Sequence, residues 1–237
     1  MLATFFDFET TGRDPATARI TELACVLYDL NTKRTLEAFS TLVYEDGYEI
    51  EPGAQAVTGI SIDFIREFGK PPLLALASLN SMFARSVYCV GHNITAYDLK
   101  VLEAECSRQS IEIITPKSID TRYDIEYPAH IETRKLGYLC QEMGIFAGDS
   151  HSALADVQAN IKLFNKFPLH RTMELAASPN VWVRADVSYD DREKAKEQRY
   201  FWASQDKIWV KNIKEMFLPE ERAKCSFPVL LVPSFKG

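Results

Sequence analysis

The chain has 237 residues, of which 46% are hydrophobic and 25% are charged, and it contains no low-complexity run or internal repeat. This composition excludes a disordered chain and a repeat protein, and the length suits one large domain or a main domain with an appendage. The net charge of −6 is unevenly spread: residues 1–165 carry 14 Lys and Arg against 23 Asp and Glu, whereas residues 166–237 carry 13 against 10. An acidic main body can bind a polyanion only if cations compensate the negative charge, whereas a basic tail can bind a polyanion directly.

The five cysteines are widely spaced and odd in number, and several lie inside apolar runs such as "ELACVLY" and "SVYCVG". This usage is typical of reduced thiols in a core. The first residues enter a strand-like stretch without the basic and apolar regions of a signal peptide, and no apolar run is long enough to cross a bilayer. We therefore expect a cytoplasmic protein without a membrane partner.

The amino-terminal part predicts three strands. Residues 2–8 and 20–30 are rich in β-branched and aromatic residues, and 35–45 partly alternates between apolar and polar residues. Short turn-like connections favour an antiparallel arrangement of the three strands. The next stretch, "EPGAQAVTGIS" (51–61), is predicted to be a loop from its composition.

Beyond this loop, helices alternate with a strand. The wholly apolar "SVYCVG" (86–91) predicts a strand, and Ser150 or Ser152 is the predicted N-cap of the last helix of this region. Apolar residues at helical spacing predict helices over 61–69, 72–85, 96–109, 134–144 and 152–167. The predicted class is α/β with a mixed sheet.

A domain boundary is predicted at Pro168 and the "ASPN" turn that follows it. Beyond the boundary lies a basic segment, 181–214, that contains all three tryptophans. We therefore predict a main domain at 1–167 and a small basic, Trp-containing accessory module at 180–237.

Inside this module, "SYDDREKAKEQRYFW" is predicted to form a helix that begins at Ser188 or Asp190. Asp191 and Glu193 then lie early in the helix, where its dipole favours acids. The terminal "FPVLLVPSF" (227–235) is predicted to be an apolar strand or a segment that docks on a partner protein.

The first strand carries two acids in the stretch "TFFDFETTG". In a strand, Asp7 and Glu9 project from one face while Phe6 and Phe8 project from the other. Two oxygen ligands therefore lie on one side of a buried strand. For an isolated Asp-x-Glu pair, a solvated face or salt bridges to basic residues are the commoner explanation.

Two further sites place an acid where a loop or strand becomes a helix. In "GHNITAYDLKVL", Asp98 lies early in a helix that follows the apolar strand. In "DSHSALAD", Asp156 lies in the first turns of a helix, and His151 precedes it by five residues. Taken alone, Asp98 is a partner of the helix dipole and His151 is a surface histidine.

Together, Asp7, Glu9, Asp98 and Asp156 form an all-carboxylate set suited to a hard divalent cation such as Mg²⁺ or Mn²⁺. Without a cation, four acids close together repel one another. Two such ions can support the hydrolysis of a phosphodiester, with neutral His151 taking the proton of the attacking water.

"DFETTG", "HNITAYD" and "HSALAD", in this order, resemble the three motifs of the DEDDh (DnaQ-like) 3′→5′ exonucleases. The resemblance covers residues 2 to about 166, and three ordered motifs are far more specific than one. It implies a ribonuclease-H-like mixed β-sheet flanked by helices for this part of the chain. The C-terminal segment beyond it is predicted separately, as a small α+β module. A histidine five residues before Asp156 is the pattern of this subfamily, whereas the sister subfamily uses a tyrosine.

Carried over by position, the resemblance implies that Asp7, Glu9, Asp98 and Asp156 hold two Mg²⁺ or Mn²⁺ ions and that His151 is the general base. It also implies substrate-binding positions, with Thr10 and Thr11 at the terminal nucleotide and Asn93 at the pocket edge. Ile60 packs either on the terminal base or in the core. All of these residues are present in the sequence.

The carboxy-terminal module interleaves basic and aromatic residues, including Lys194, Arg199, Trp202 and Trp209. These can hold a single strand by phosphate contact and base stacking. Equally, the tryptophans can form the core of a small domain whose lysines are solvated.

The leading hypothesis is a metal-dependent 3′→5′ exonuclease that releases nucleoside 5′-monophosphates from 3′ ends of DNA, preferably single-stranded. DNA is favoured because the chain resembles the proofreading type more than the compact oligonucleotide-trimming type. The alternatives are an exoribonuclease of the same family and a non-catalytic subunit that binds nucleic acid or a polymerase. A polymerase or other replication or repair protein at the module, and a homodimer, are further partner hypotheses. A two-carboxylate glycosidase does not explain four acids with a histidine.

Overall fold

The computed structural model describes residues 1–146, 151–233 and 235. The chain divides into two compact units, Met1–Met173 and Glu174–Gly237. Within the described residues, no helix combines the length and the apolar composition that a bilayer crossing requires.

The first unit is built on a five-stranded sheet in the order β3-β2-β1-β4-β5. The strands are β1 (Leu2–Thr10), β2 (Ile20–Asp29), β3 (Arg34–Leu42), β4 (Tyr88–Gly91) and β5 (Lys117–Asp120). β2 pairs antiparallel with both β1 and β3, whereas β4 pairs parallel with both β1 and β5. The prediction of an α/β protein with a mixed sheet is therefore confirmed.

Helices cover this sheet and connect its strands. They are α1 (Pro52–Thr58), α2 (Ile62–Phe68), α3 (Pro72–Phe83), α4 (Asp98–Arg108), α5 (Leu136–Glu142) and α6 (Ala153–Phe164). The next helix, α7 (Leu169–Ala177), contains the division between the two units. Each predicted helix of the main domain has a counterpart among α2 to α6. Ser61 caps α2 by accepting a hydrogen bond from the N–H of Phe64.

The central strand β1 is buried by aromatic packing on both faces. On one face, the ring of Phe6 lies 5.4 Å from that of Phe83 in α3. On the other face, the ring of Phe5 lies 5.3 Å from that of Phe164 in α6 and 5.6 Å from that of Tyr28 in β2. Because side chains alternate along a strand, Asp7 and Glu9 share the face of Phe5 and project toward the α6 side.

The prediction of a loop over 51–61 was wrong, because residues Pro52–Thr58 form α1. Proline at the first helical turn has a suitable fixed φ, and Gly59 at φ 71° ends the helix with its N–H donating to the carbonyl of Gln55. Among the elements that precede β6, two more, β5 and α7, had no counterpart in the predictions. The first is only four residues long, and α7 begins directly after Pro168, which was read as a boundary.

The second unit is a small antiparallel sheet with two short helices, as the prediction of an α+β module requires. Its strand order is β7-β8-β6-β9. Its elements are β6 (Asn180–Ala185), α8 (Arg192–Glu197), β7 (Phe201–Ala203), β8 (Ile208–Lys214), a 3₁₀ turn (Glu215–Phe217), α9 (Leu218–Lys224) and β9 (Val229–Leu231). The terminal apolar segment therefore contributes a strand, β9, that pairs with β6.

The first helix of this unit, α8, is shorter than predicted. It begins at Arg192 rather than at Ser188 or Asp190, because the N–H of Asp191 donates to the hydroxyl of Ser188 and forms a turn. It ends before Tyr200, which is buried and joins the core. That core consists of Val183, Ala185, Ala195, Tyr200, Leu218, Phe227 and Val229.

Replacing Phe5 by alanine is expected to lower the free energy of unfolding by about 3–5 kcal/mol, because a fully buried aromatic contact between β1 and α6 is lost. Urea titration followed by far-ultraviolet circular dichroism measures the change. Leu36→Ala is the control, since Leu36 is 55% exposed on β3 and should change stability by about 0.5 kcal/mol or less. Equal effects of the two substitutions would contradict this account of the core.

Candidate active site

Three of the predicted metal-binding acids meet where β1 faces the start of α6. Asp7, Glu9 and Asp156 each offer one carboxylate oxygen, and these oxygens lie within 4.8 Å of one another. All three side chains are partly buried. The period of two along β1 aims Asp7 and Glu9 at the same space, and the first turn of α6 supplies Asp156.

The fourth acid, Asp98, is the first residue of α4 and is 4% exposed. Its carboxylate accepts a hydrogen bond of 3.2 Å from the backbone N–H of Phe8, between the two acids of β1. Asp98 is not a member of the group of three mutually close oxygens. The structure thus places it against the same strand, with one oxygen engaged by the backbone.

Burial dominates the electrostatics of this site. Burial, with repulsion from Asp156, Glu22 and Asp98, raises the pKa of Glu9 to about 8. Burial, with the neighbouring carboxylates, likewise holds the pKa of Asp7 well above its usual value. Such a site favours protonated acids unless a cation balances the charge.

Burial also raises the pKa of Asp98, to about 7, against the effect of the backbone N–H groups that bind it. For Asp156, burial raises the pKa, and the nearby His151 opposes this through its charge and its backbone N–H. His151 is therefore close enough to Asp156 to act on it electrostatically.

His151 is exposed and lies one residue before Ser152, the N-cap residue of α6. Its φ of 71° is in the left-handed region, which non-glycine residues seldom adopt. His151 therefore lies just outside the helix. Ser150, the other candidate for the cap, lies outside the described residues.

A cleft of about 300 Å³ opens beside Glu9 and runs along α1. Its lining residues are Phe8, Glu9, Thr10, Gly12, Arg13, Gly53, Ala54, Val57, Thr58 and Tyr97. The hydroxyl of Thr10 is 2.6 Å from that of Tyr97, and both donate toward the carbonyl of Gly12. Of the predicted substrate-binding residues, Thr10 is the one that lines this cleft.

The other predicted substrate-binding residues lie elsewhere. Thr11 is 5% exposed, and its N–H, carbonyl and hydroxyl bind Arg19 and Glu51, so it holds the turn after β1. Ile60 is 6% exposed and packs with Tyr48 and Ile65, which places it in the core. Val57, 49% exposed, is the apolar residue that α1 presents to the cleft instead.

Asn93 does not line the cleft either, and it reveals a residue that the sequence reading missed. Its N–H donates to Asp120 Oδ1 at 2.8 Å, and the N–H and hydroxyl of Thr95 donate to Asp120 Oδ2. The buried Asp120 thereby fixes the loop that leads to Asp98. Asp120 lies in the stretch "SIDT" (118–121), and its structural role depends on contacts with residues about 25 positions away.

Glu22 was also missed. It lies on β2 directly opposite Glu9 and accepts hydrogen bonds from the N–H of Ala153 and the hydroxyl of Ser152. The available signal was an acid inside an otherwise apolar strand, "ITELACVLYD", as in β1.

In the second unit, the structure brings two of the four predicted nucleic-acid contacts together. The rings of Trp202 and Trp209 lie 5.5 Å apart, and Trp202 is 48% exposed. Lys194 forms an ion pair of 2.7 Å with Asp191, and Arg199 is exposed at φ 63°. Lys196 lies over the Trp209 ring at 5.9 Å.

The raised carboxyl pKa values predict how the stability of the metal-free protein depends on pH. The folded state binds the carboxyl protons of Glu9 and Asp98 more tightly than the unfolded state does. The free energy of unfolding should therefore be higher near pH 4 and should decrease as the pH rises toward 8. In EDTA, the melting temperature should fall between pH 5 and 8 by about 3 °C or more. Glu9→Gln should reduce this fall, and Mn²⁺ at pH 8 should reverse it.

The matched control is Glu103→Gln, which removes an exposed carboxylate from α4 away from β1. Its pH dependence should follow that of the wild type. An identical slope in Glu9→Gln and wild type would show that the cluster does not determine the pH dependence.

Residues 4–164 match the RNase T family, described as Exonuclease, and residues 181–232 match a family described as a domain of unknown function. The chain is 28% identical to DNA polymerase III subunit epsilon of Treponema pallidum (strain Nichols) over 174 residues, which are 72% of this chain and 78% of the relative.

Solved structures of exonuclease I share the fold. One has a TM-score of 0.67 and 17% identity, covering 94% of this chain and 67% of that one. The zinc-bound E. coli exonuclease I complex with single-stranded DNA has a TM-score of 0.67 and 18% identity, covering 96% and 68%. The predicted ribonuclease-H-like fold is thereby confirmed. The chain belongs to the RNase T family of exonucleases and is a DEDDh, DnaQ-like 3′→5′ exonuclease.

Proposed function

We propose that this exonuclease removes nucleoside 5′-monophosphates from the 3′ ends of DNA, preferably single-stranded DNA, with the help of two divalent cations. The observation that carries the proposal is the group of Asp7, Glu9 and Asp156 oxygens within 4.8 Å of one another. Catalysis is assigned to residues 1–167, and 180–237 are assigned as an accessory module.

The donor set fits hard cations. The donors are carboxylate oxygens, which suit Mg²⁺ or Mn²⁺, and their mutual repulsion on a buried strand is relieved by positive charge. The residues proposed to hold the ions are Asp7, Glu9, Asp98 and Asp156. Cations at such a site supply Lewis acidity and neutralise charge on the scissile phosphate.

His151 is proposed to take the proton of the attacking water. A neutral imidazole is a suitable base near pH 7. The exposed position of His151 lets it pass the proton to solvent. His151 directly precedes Ser152, the N-cap residue of the helix that carries Asp156, and so lies beside the acids.

The cleft beside Glu9 is proposed to hold the terminal nucleotide. Val57 offers an apolar surface to the base, and the Thr10 and Tyr97 hydroxyls form the polar wall. Arg13, also in the lining, is suited to contact a phosphate. Asn93 is proposed to act only indirectly, through the loop that Asp120 holds.

DNA is proposed as the substrate because E. coli exonuclease I forms complexes with dA16 and dT13 oligonucleotides. The similarity to a DNA polymerase III subunit supports a role in proofreading or repair beside a polymerase.

The proposed location is the cytoplasm, because five free cysteines are typical of a protein in a reducing compartment.

The activity is tested with a 5′-labelled oligonucleotide incubated with the full chain and Mg²⁺. The labelled oligonucleotide should shorten in single-nucleotide steps, and EDTA should stop the reaction. Asp7→Asn should lower the rate by about 100- to 1,000-fold, the scale of losing one active-site electrostatic group. Glu103→Gln should retain the wild-type rate.

Matched DNA and RNA strands are digested in parallel, each as a single strand and as a duplex. Faster digestion of single-stranded DNA is expected. Faster digestion of RNA would replace the proposed substrate by RNA, and the absence of any metal-dependent shortening would favour a non-catalytic binding subunit.

The Trp202 and Trp209 pair is proposed to stack on bases of the same strand. In an Asp7→Asn background, Trp202→Ala should raise the Kd for a single-stranded oligonucleotide about 5- to 100-fold, since one stacked base is worth about 1–3 kcal/mol. Fluorescence anisotropy of the labelled oligonucleotide measures the Kd. Tyr189→Ala, at a 78% exposed aromatic of the same unit, is the control. Equal Kd values for both variants and the parent would assign the tryptophans to the fold alone.

A further inference from the structure

Glu22 links the two elements that carry the candidate ligands. It lies on β2 with Glu9 as its direct neighbour on β1. Its Oε2 accepts a 3.1 Å hydrogen bond from the N–H of Ala153, and its Oε1 accepts a 3.3 Å bond from the hydroxyl of Ser152. The partners are 130 and 131 residues away in the chain.

Helix α6 depends on this contact because it lacks a cap of its own. Ser152 stands at the N-cap position, yet its side chain accepts no capping hydrogen bond. Its hydroxyl donates to Glu22 instead, and Glu22 also satisfies the first N–H of the helix. A carboxylate is well suited to this end of a helix, because unpaired N–H groups and the dipole both attract negative charge.

The first turn that Glu22 holds is the one that places the site residues. Asp156 belongs to this turn, and its N–H donates to the carbonyl of Ser152 at 3.0 Å. His151 directly precedes Ser152. A shift of the helix start relative to β2 therefore moves both residues relative to Asp7 and Glu9.

Holding a further carboxylate here has an electrostatic cost. The charge of Glu22 adds to the repulsion that acts on Asp7, Glu9 and Asp156. A residue that served only to cap a helix could be a neutral serine or asparagine on the helix itself. A bridge from the neighbouring strand does what a local cap cannot, since it fixes the helix to the sheet.

We propose that Glu22 is a positioning residue of the exonuclease site, which anchors the start of α6 to β2 and so holds Asp156 and His151 opposite Asp7 and Glu9. This rests on the proposed function for its catalytic consequence. The anchoring itself is a property of the metal-free chain.

The test compares Glu22→Ala, which removes the hydrogen bonds from Ala153 and Ser152 and a 3.5 Å bond from the Ser40 hydroxyl, with Glu22→Gln, whose amide oxygen still accepts one. Ser152→Ala removes the hydroxyl contact alone, and Glu103→Gln is the charge-matched control. The rate of backbone amide hydrogen exchange at the start of α6, measured on the full chain in EDTA, reports how firmly the helix start is anchored. Rates at varied oligonucleotide and Mn²⁺ concentrations give kcat, KM and the half-saturating Mn²⁺ concentration.

We expect exchange at the start of α6 to accelerate by about tenfold or more in Glu22→Ala and less in Glu22→Gln. The half-saturating Mn²⁺ concentration should rise, or kcat fall, by about 10- to 100-fold in Glu22→Ala, the scale of losing a group that orients metal ligands. KM for the oligonucleotide should change little. Ser152→Ala should show a smaller effect of the same kind.

Unchanged exchange in Glu22→Ala would overturn the proposal, whatever the activity. Equal losses in Glu22→Gln and Glu22→Ala would also overturn it, because they would assign the effect to charge rather than to hydrogen bonds. If the wild type degrades no nucleic acid, the proposed function fails, and the exchange measurement still decides the anchoring.

Discussion

Carboxylates held close together on a buried strand are the constraint on which the rest of the structure depends. The oxygens of Asp7, Glu9 and Asp156 lie within 4.8 Å, and burial strengthens their repulsion. Left to relax, such groups would separate or draw in water. They stay together because Phe5 and Phe6 anchor the same strand from opposite faces, against α6 and α3. Apolar packing thus supplies the stability with which an unfavourable charge cluster is maintained.

Hydrogen-bonded turns complete this rigid frame at positions where packing alone leaves freedom. The loop before α4 is fixed by the buried Asp120, and the turn after β1 is fixed by the Thr10 and Tyr97 hydroxyls on the carbonyl of Gly12. The start of α6 is fixed by Glu22. The bonds of Asp120, Tyr97 and Glu22 join segments distant in sequence, so the site is defined by tertiary contacts at three separate places.

This explains which parts of the site could be predicted from the sequence. Strand periodicity was sufficient to place Asp7 and Glu9 on one face, because that rule is local. Ile60 and Val57 could not be distinguished without knowing that 52–58 form a helix, since the helix decides which apolar side chain faces the cleft. The contacts of Glu22 could not be predicted for a related reason, although its place in an apolar strand was a signal: its partners lie about 130 residues along the chain. Short elements such as β5 carry too few residues for a periodic signal.

Composition also overstated the cationic character of the second unit. Residues 174–237 carry 11 Lys and Arg against 10 Asp and Glu. Lys194 pairs with Asp191 at the start of its helix, Lys196 pairs with an acid of the same helix, and Lys211 pairs with the buried Glu221. Exposed pairs are worth about 0.2–1 kcal/mol, so a phosphate can displace them, but the nearly neutral unit exerts little long-range attraction. Strand binding by this unit, if it rests on Trp202 and Trp209, therefore draws its free energy mainly from stacking, and stacking is much less sensitive to salt than phosphate contact.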